Sequence, residues 1–200
     1  MGRNSVKRMG NCGGSGQIGP ALLFFLLLLM SFSASAQNER FYIRLSGLVT
    51  DFYTADPLRN VLVRVLKDSL PHAEVITTKQ GFYEFQLDRG ALYTVWFSRD
   101  DLVTKHVRID ARDVPVFPDV PFYEMDVQMT MFPWIEGMDY SLFDQALGEA
   151  SYKHSVRNLS WNVEYTERLR PHLAEAMKTY DKLQRKYKPS QQRKPPVDRL

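Results

Sequence analysis

The chain has 200 residues, with 26 lysines and arginines against 23 aspartates and glutamates, a formal net charge of +3 and a single cysteine, Cys12. The basic excess sits entirely in residues 1 to 36, which carry Arg3, Lys7 and Arg8 and no acidic side chain, so the remainder is close to neutral. A neutral remainder without cysteine excludes the electrostatic footprint of a nucleic-acid binder, a disulfide framework, a thiol nucleophile and a cysteine-based zinc site.

The run from Ala21 to Phe32 is uncharged and follows Arg3, Lys7 and Arg8. It is shorter than the roughly 20 apolar residues a bilayer-spanning helix needs. Ala34-Ser35-Ala36 follows, the small-x-small pattern accepted by a signal peptidase, which places the expected mature N-terminus at Gln37. The expectation is a secretory signal peptide over residues 1–36 and an exported protein, periplasmic or outer-membrane associated, with no transmembrane span in the mature chain.

Downstream, Phe41, Ile43, Leu45 and Val49 alternate with polar residues and predict a half-buried strand. Asp56-Pro57 marks a turn, and Val61, Val63 and Val65 carry a second strand. A third is expected near Glu74 to Thr78. Lys79-Gln80-Gly81 turns the chain, with Gly81 free to take positive φ, into a fourth strand with Tyr83, Phe85 and Leu87 on one side. After Asp88-Arg89-Gly90 come Tyr93, Val95 and Phe97, then Val103, Val107 and Ile109. A connection with Pro115, Pro118 and Pro121 leads to a seventh strand over Met125, Val127, Met129 and Met131. Short strands separated by turn signals, with no helix between them, predict a mainly β protein: a seven-stranded antiparallel β-sandwich whose core includes Val63, Phe85, Val95 and Val107.

Three stretches carry a family resemblance: Ser46-Gly47-Leu48-Val49-Thr50-Asp51, Pro57 through Val65, and Thr77 through Phe85. With Tyr93 to Phe97 and Lys105 to Asp110, they resemble carboxypeptidase regulatory-like domains over roughly residues 41 to 132. The resemblance implies a transthyretin-like (prealbumin-like) sandwich. In physical terms the motif is structural: Gly47 marks a bulge or close backbone approach, Pro57 presets a turn and Gly81 closes a hairpin. Asn60 stands where the family commonly has glycine, and asparagine also tolerates the left-handed conformation. The sandwich is assigned to residues 37–132. Sandwich and tail together resemble exported proteins of the Bacteroidetes group.

Residues 133–159 mix glycine and acids with large apolar side chains such as Trp134, Ile135, Tyr140 and Phe143, which predicts an irregular arm packed on the sandwich. Ser160 or Asn162 can cap a helix over residues 160–187, with Tyr165, Leu169, Leu173, Ala176, Met177, Tyr180, Leu183 and Tyr187 on its apolar face. Pro171 is expected to kink or split it. Residues 188–200 read as a disordered, proline-rich basic tail. From Lys178 onward Lys182, Arg185, Lys186, Lys188, Arg193, Lys194 and Arg199 join that lysine against only Asp181 and Asp198. Lys182, Arg185, Lys186, Lys188, Arg193 and Lys194 are therefore the candidate partner-binding residues, for an envelope protein or an anionic surface.

No catalytic grouping emerges, and the chain is read as no enzyme, without cofactor or metal. His172 and Glu175 share a helix face at a spacing zinc carboxypeptidases use for two ligands, but only His154 could complete the set. A hydrolase built on these three groups is one alternative. His72-Ala73-Glu74 lacks the cysteine pair of zinc deaminases. The C-terminal Tyr-Arg-Gly-Ser of hydroxyisourate hydrolases is absent. Asp51, Asp56, Asp100 and Asp101 could approach a calcium ion at one end of the sandwich. Asn158-Leu159-Ser160 matches a glycosylation acceptor. The other alternative is a carbohydrate-binding sandwich using Trp96, Trp134 or Tyr140 as sugar platforms. The preferred reading is a binding or scaffolding protein of the bacterial cell envelope.

Overall fold

In a computed structural model the structure describes residues 42–116 and 120–187. The expected signal peptide and the basic tail, including Lys188, Arg193 and Lys194, lie outside the described residues, as does Pro118 of the proline-rich connection.

The chain is mainly β, with two sheets and a C-terminal helix. Ten strands run among the described residues: β1 (Tyr42–Asp51), β2 (Leu62–Lys67), β3 (Leu70–Ile76), β4 (Phe82–Leu87), β5 (Leu92–Ser98), β6 (Lys105–Asp110), β7 (Phe122–Asp126), β8 (Met129–Met131), β9 (Glu149–Lys153) and β10 (Asn158–Trp161). One sheet has the order β4-β1-β7, with β8 also on β1. The other has the order β10-β9-β6-β5-β2-β3. The inward residues of the alternating strands meet between them: Ile43, Leu45 and Val49 from β1, Val63 and Val65 from β2, and Tyr93, Val95 and Phe97 from β5 are all without solvent exposure. The expected core residues Val63, Phe85, Val95 and Val107 are buried in this cluster. Removing such side chains from water stabilises the fold by about 1.5–3 kcal/mol each.

Three features depart from the sequence reading. The pairing is not wholly antiparallel, because β7 and β8 both lie parallel to β1, and β9 lies parallel to β6. β7 and β9 each re-enter their sheet after a long excursion, which is how a chain arrives beside an earlier strand in the same direction, and β8 continues the course of β7 along β1. Secondly, the expected seventh strand is two strands. Val127 separates them, its N–H donating to the Ser46 carbonyl (2.9 Å) and its own carbonyl accepting from the Tyr83 hydroxyl (2.6 Å). That carbonyl turns toward Gly47, where a Cβ would overlap it, so the close backbone approach expected at Gly47 is present. Thirdly, the arm is less irregular than expected: its second half forms the β9–β10 hairpin, which extends the larger sheet through Ala150, Tyr152 and Leu159.

The turns follow the backbone preferences of their residues. Gly81 has φ +73°, where a Cβ would run into the Val49 carbonyl, and Asn60 takes φ +59°.

Helix α1 (Val163–Tyr187) is continuous through Pro171, so the expected split does not occur. The ring lies on the exposed side, where water reaches the carbonyl that proline leaves without an N–H partner. Asn162, not Ser160, caps it: its Oδ1 accepts from the Tyr165 N–H at 3.1 Å, while Ser160 lies in β10 opposite Ser151 of β9. The helix docks through a second apolar cluster of Val103, Phe132, Ile135, Phe143 and Tyr180. The Tyr180 ring is fully buried, 4.7 Å from that of Phe132, and its hydroxyl donates to the Pro133 carbonyl at 2.8 Å. Tyr53 adds a hydrogen bond to Asp181 at 2.8 Å. No helix of the described residues is long and apolar enough to cross a membrane.

Candidate functional site

Between α1, β6 and the Val127–Thr130 stretch lies a pocket of about 520 Å³, within the about 300–1,000 Å³ range of small-molecule sites. Its walls include Val107, Met129, Phe132, Phe143, Leu173 and Met177, with Glu167 and Arg170 contributed by the exposed side of α1. Those two are joined by an ion pair of 2.8 Å.

The pocket also holds a buried cation. Lys105, at the start of β6, is 4% exposed. Its Nζ donates to the Thr130 carbonyl at 2.6 Å and stands 4.4 Å from the Phe132 ring centre and 5.6 Å from that of Phe143. A carbonyl dipole and two ring faces favour a positive charge, but less than a carboxylate does. Burial lowers the pKa of the amine to about 8, with no acidic neighbour among the described residues to oppose that shift. Lys105 was not singled out from sequence. The signal that reveals it is its phase: it alternates with Val103, Val107 and Ile109, all buried on the same side.

The lowered pKa has a consequence for stability. Between its folded value of about 8 and the ordinary 10.5, native Lys105 binds fewer protons than in the unfolded chain. Stability contributed at this position therefore rises with pH through that window. Tyrosines such as Tyr83 and Tyr180, whose burial raises their pKa values, titrate in parent and Lys105→Met alike. In urea unfolding, the parent should gain stability relative to Lys105→Met from pH 8 toward 10.5. A constant difference would contradict the charged, desolvated state assigned to the amine.

His106, next in β6, points the other way and stacks on Trp96 at 4.0 Å. Burial, reinforced by Arg108, lowers its pKa despite the opposing Asp144, and its Nδ1 is buried without a hydrogen-bond partner. A neutral ring in a stacked, enclosed setting fits this arrangement.

Lys182, Arg185 and Lys186 are exposed on the last turns of α1, and Lys178 shares their face at helical spacing. The groups considered for metal chemistry do not assemble: no cluster of three or more His, Asp or Glu able to hold a metal forms among the described residues. His172 is exposed on α1, and His154 lies in the turn between β9 and β10. Asp51 accepts from the Tyr53 and Thr54 N–H groups, and Asp101 is held by Arg99. Of the candidate sugar platforms, Trp134 and Tyr140 stack on each other at 6.1 Å, whereas Trp96 is occupied by His106.

No family model matches the sequence, and no curated protein matches it. Solved structures with similar folds include 3-chlorocatechol 1,2-dioxygenase from Rhodococcus opacus 1CP (13% identity, 46% of this chain and 60% of that one, TM-score 0.37). They also include a C-terminal fragment of the pilus adhesin SpaC from Lactobacillus rhamnosus GG (10% identity, 47% of this chain and 46% of that one, TM-score 0.35). A third is the 5-hydroxyisourate hydrolase of Klebsiella pneumoniae (15% identity, 46% of this chain and 92% of that one, TM-score 0.32). The alignment spans less than two thirds of the first two. One sequence-based expectation is corrected here. The chain was read as no enzyme, but two of these three neighbours are enzymes, so a sandwich of this kind does not mark a protein as non-catalytic. With TM-scores below 0.5, none of the three bears on the chemistry or partners of this chain.

Proposed function

We propose that the protein is an exported binding or scaffolding protein of the bacterial cell envelope, built on a carboxypeptidase regulatory-like sandwich of the kind found in Bacteroidetes. Residues 1–36 act as its signal peptide. The observation that carries this reading is the division of α1 into two faces. Leu173, Met177, Tyr180 and Leu183 fix one face to the second apolar cluster, and Lys178, Lys182, Arg185 and Lys186 stand on the other as a row facing water. A helix anchored in this way holds its charges in register and loses no further backbone entropy when it meets an anionic surface. Lys188, Arg193 and Lys194 extend the same charge along the sequence.

Each basic residue near an anionic membrane surface contributes on the order of 1 kcal/mol, and salt screens the attraction. Replacing Lys182, Arg185 and Lys186 together by glutamate should therefore weaken co-sedimentation with anionic envelope vesicles by about a hundredfold at low salt, on that scale. The melting temperature should fall only slightly, because the three side chains are exposed and lose only their favourable interaction with the helix dipole. High salt should reproduce the loss with the parent protein. Equal sedimentation of parent and variant at every salt concentration would remove the surface-binding role.

A further inference from the structure

The pocket beneath α1 has properties that envelope attachment does not use. A buried ammonium normally faces a carboxylate, since an isolated charge away from water is costly. Lys105 instead has the Thr130 carbonyl and the faces of Phe132 and Phe143, which leaves N–H capacity on the amine for another acceptor. The space beside it is bounded mainly by hydrocarbon and thioether groups, among them Val107, Met129, Leu173 and Met177. With Arg170 already paired to Glu167, the Lys105 cation beside this mainly apolar chamber is complementary to a molecule with one anionic head and a long apolar body.

We propose that this pocket binds a long-chain monocarboxylate, its carboxylate paired with the Lys105 ammonium and its chain lying between α1 and the Val127–Thr130 stretch. Three observations choose this ligand class. Glu167 and Arg170 of the lining neutralise each other in their 2.8 Å ion pair, so Lys105 is the uncompensated charge of the described walls and a dianionic or phosphate-rich head would remain partly unpaired. Apolar side chains outnumber the hydrogen-bonding ones of the lining, and Glu167 and Arg170 are already paired with each other, which disfavours a sugar or a nucleotide. The volume of about 520 Å³ accommodates more than a head group alone. At neutral pH an amine with a pKa of about 8 is largely protonated, so the cation is in place before the ligand arrives. Pairing with a carboxylate should then raise that pKa.

The test uses the full exported chain and palmitate below its micellar concentration, with hexadecanol as a ligand of the same chain and neutral head. Calorimetric titration should show palmitate bound to the parent protein. Lys105→Met keeps the apolar stem and removes the charge, and should weaken palmitate at least about tenfold. Its affinity for hexadecanol should change little. Leu173→Trp fills the chamber from the helix side and should abolish binding of both ligands while leaving Lys105 intact. This second variant decides the matter if Lys105→Met does not fold. No palmitate binding by the parent, equal palmitate affinity in parent and Lys105→Met, or undiminished binding to Leu173→Trp would each overturn the proposal. Vesicle sedimentation of the glutamate variants is a separate measurement on exposed residues outside the pocket, so either reading can fail without the other.

Discussion

Truncating Tyr180 to alanine is expected to lower the free energy of opening α1 by about 3–5 kcal/mol, the cost of deleting a fully buried aromatic ring. Among the described residues, this ring is the aromatic that α1 contributes to the buried core of the second cluster, where it meets Phe132 edge-on at 4.7 Å and stacks with Tyr53 at 6.1 Å. Its removal also leaves the Pro133 carbonyl without its 2.8 Å partner. The sandwich core lies in a different cluster, so the loss should be local. Amide exchange along α1 should accelerate by more than a hundredfold, on the scale of 1.4 kcal/mol per decade, while exchange in β5 and β6 stays slow. Tyr180→Phe keeps the ring and should cost only about 1–3 kcal/mol, for the unsatisfied carbonyl. If Tyr180→Ala left α1 exchange unchanged, the helix would be held by something other than this anchor.

A second large effect is expected at Gly47. A methyl group there meets the Val127 carbonyl, and the Tyr83 hydroxyl that fixes this carbonyl stands 3.1 Å away. Overpacking commonly costs about 1–3 kcal/mol. Gly47→Ala should reach the upper end of that range, about 3 kcal/mol, because the obstructing atom is backbone held from both sides by hydrogen bonds. Urea unfolding should show a lower midpoint with an unchanged slope. A midpoint equal to that of the parent would mean that β7 and β8 can shift together away from β1, and that the junction is softer than its hydrogen bonds indicate.

The legible parts of the fold were those where one physical rule acts alone. Strict alternation identified the buried sides of β1, β2, β4 and β5, because each presents one face to a single apolar layer. Gly81 and Asn60 were recognisable because few residues tolerate the left-handed conformation they adopt. The hairpin β9–β10 was hidden because its inward set, Ala150, Tyr152 and Leu159, is short and interrupted by the polar turn around His154. Pairing direction was hidden for a different reason: alternation says which face of a strand is buried but not which strand lies beside it. Lys105 was passed over because lysine is rarely buried, although its position in phase with Val107 and Ile109 places it on the inward side.

The pairing of β1 also bears on how fast the protein acquires its structure. Strands β2 and β3 form a local hairpin, β5 joins β2 after the chain has crossed to β4 in the other sheet, and β6 follows β5 through a short connection. β1 gains its first neighbour only when Leu45 meets Phe85, and its second only when Tyr42 meets Phe122 and Val49 meets Met129. The first strand of the described residues is thus flanked on both sides only after two long loops have closed against their entropy. Topologies dominated by such distant pairings fold in about milliseconds to seconds, well behind helical bundles of similar size. Until that closure, the alternating apolar side of β1 is an open edge able to pair with another copy of the chain.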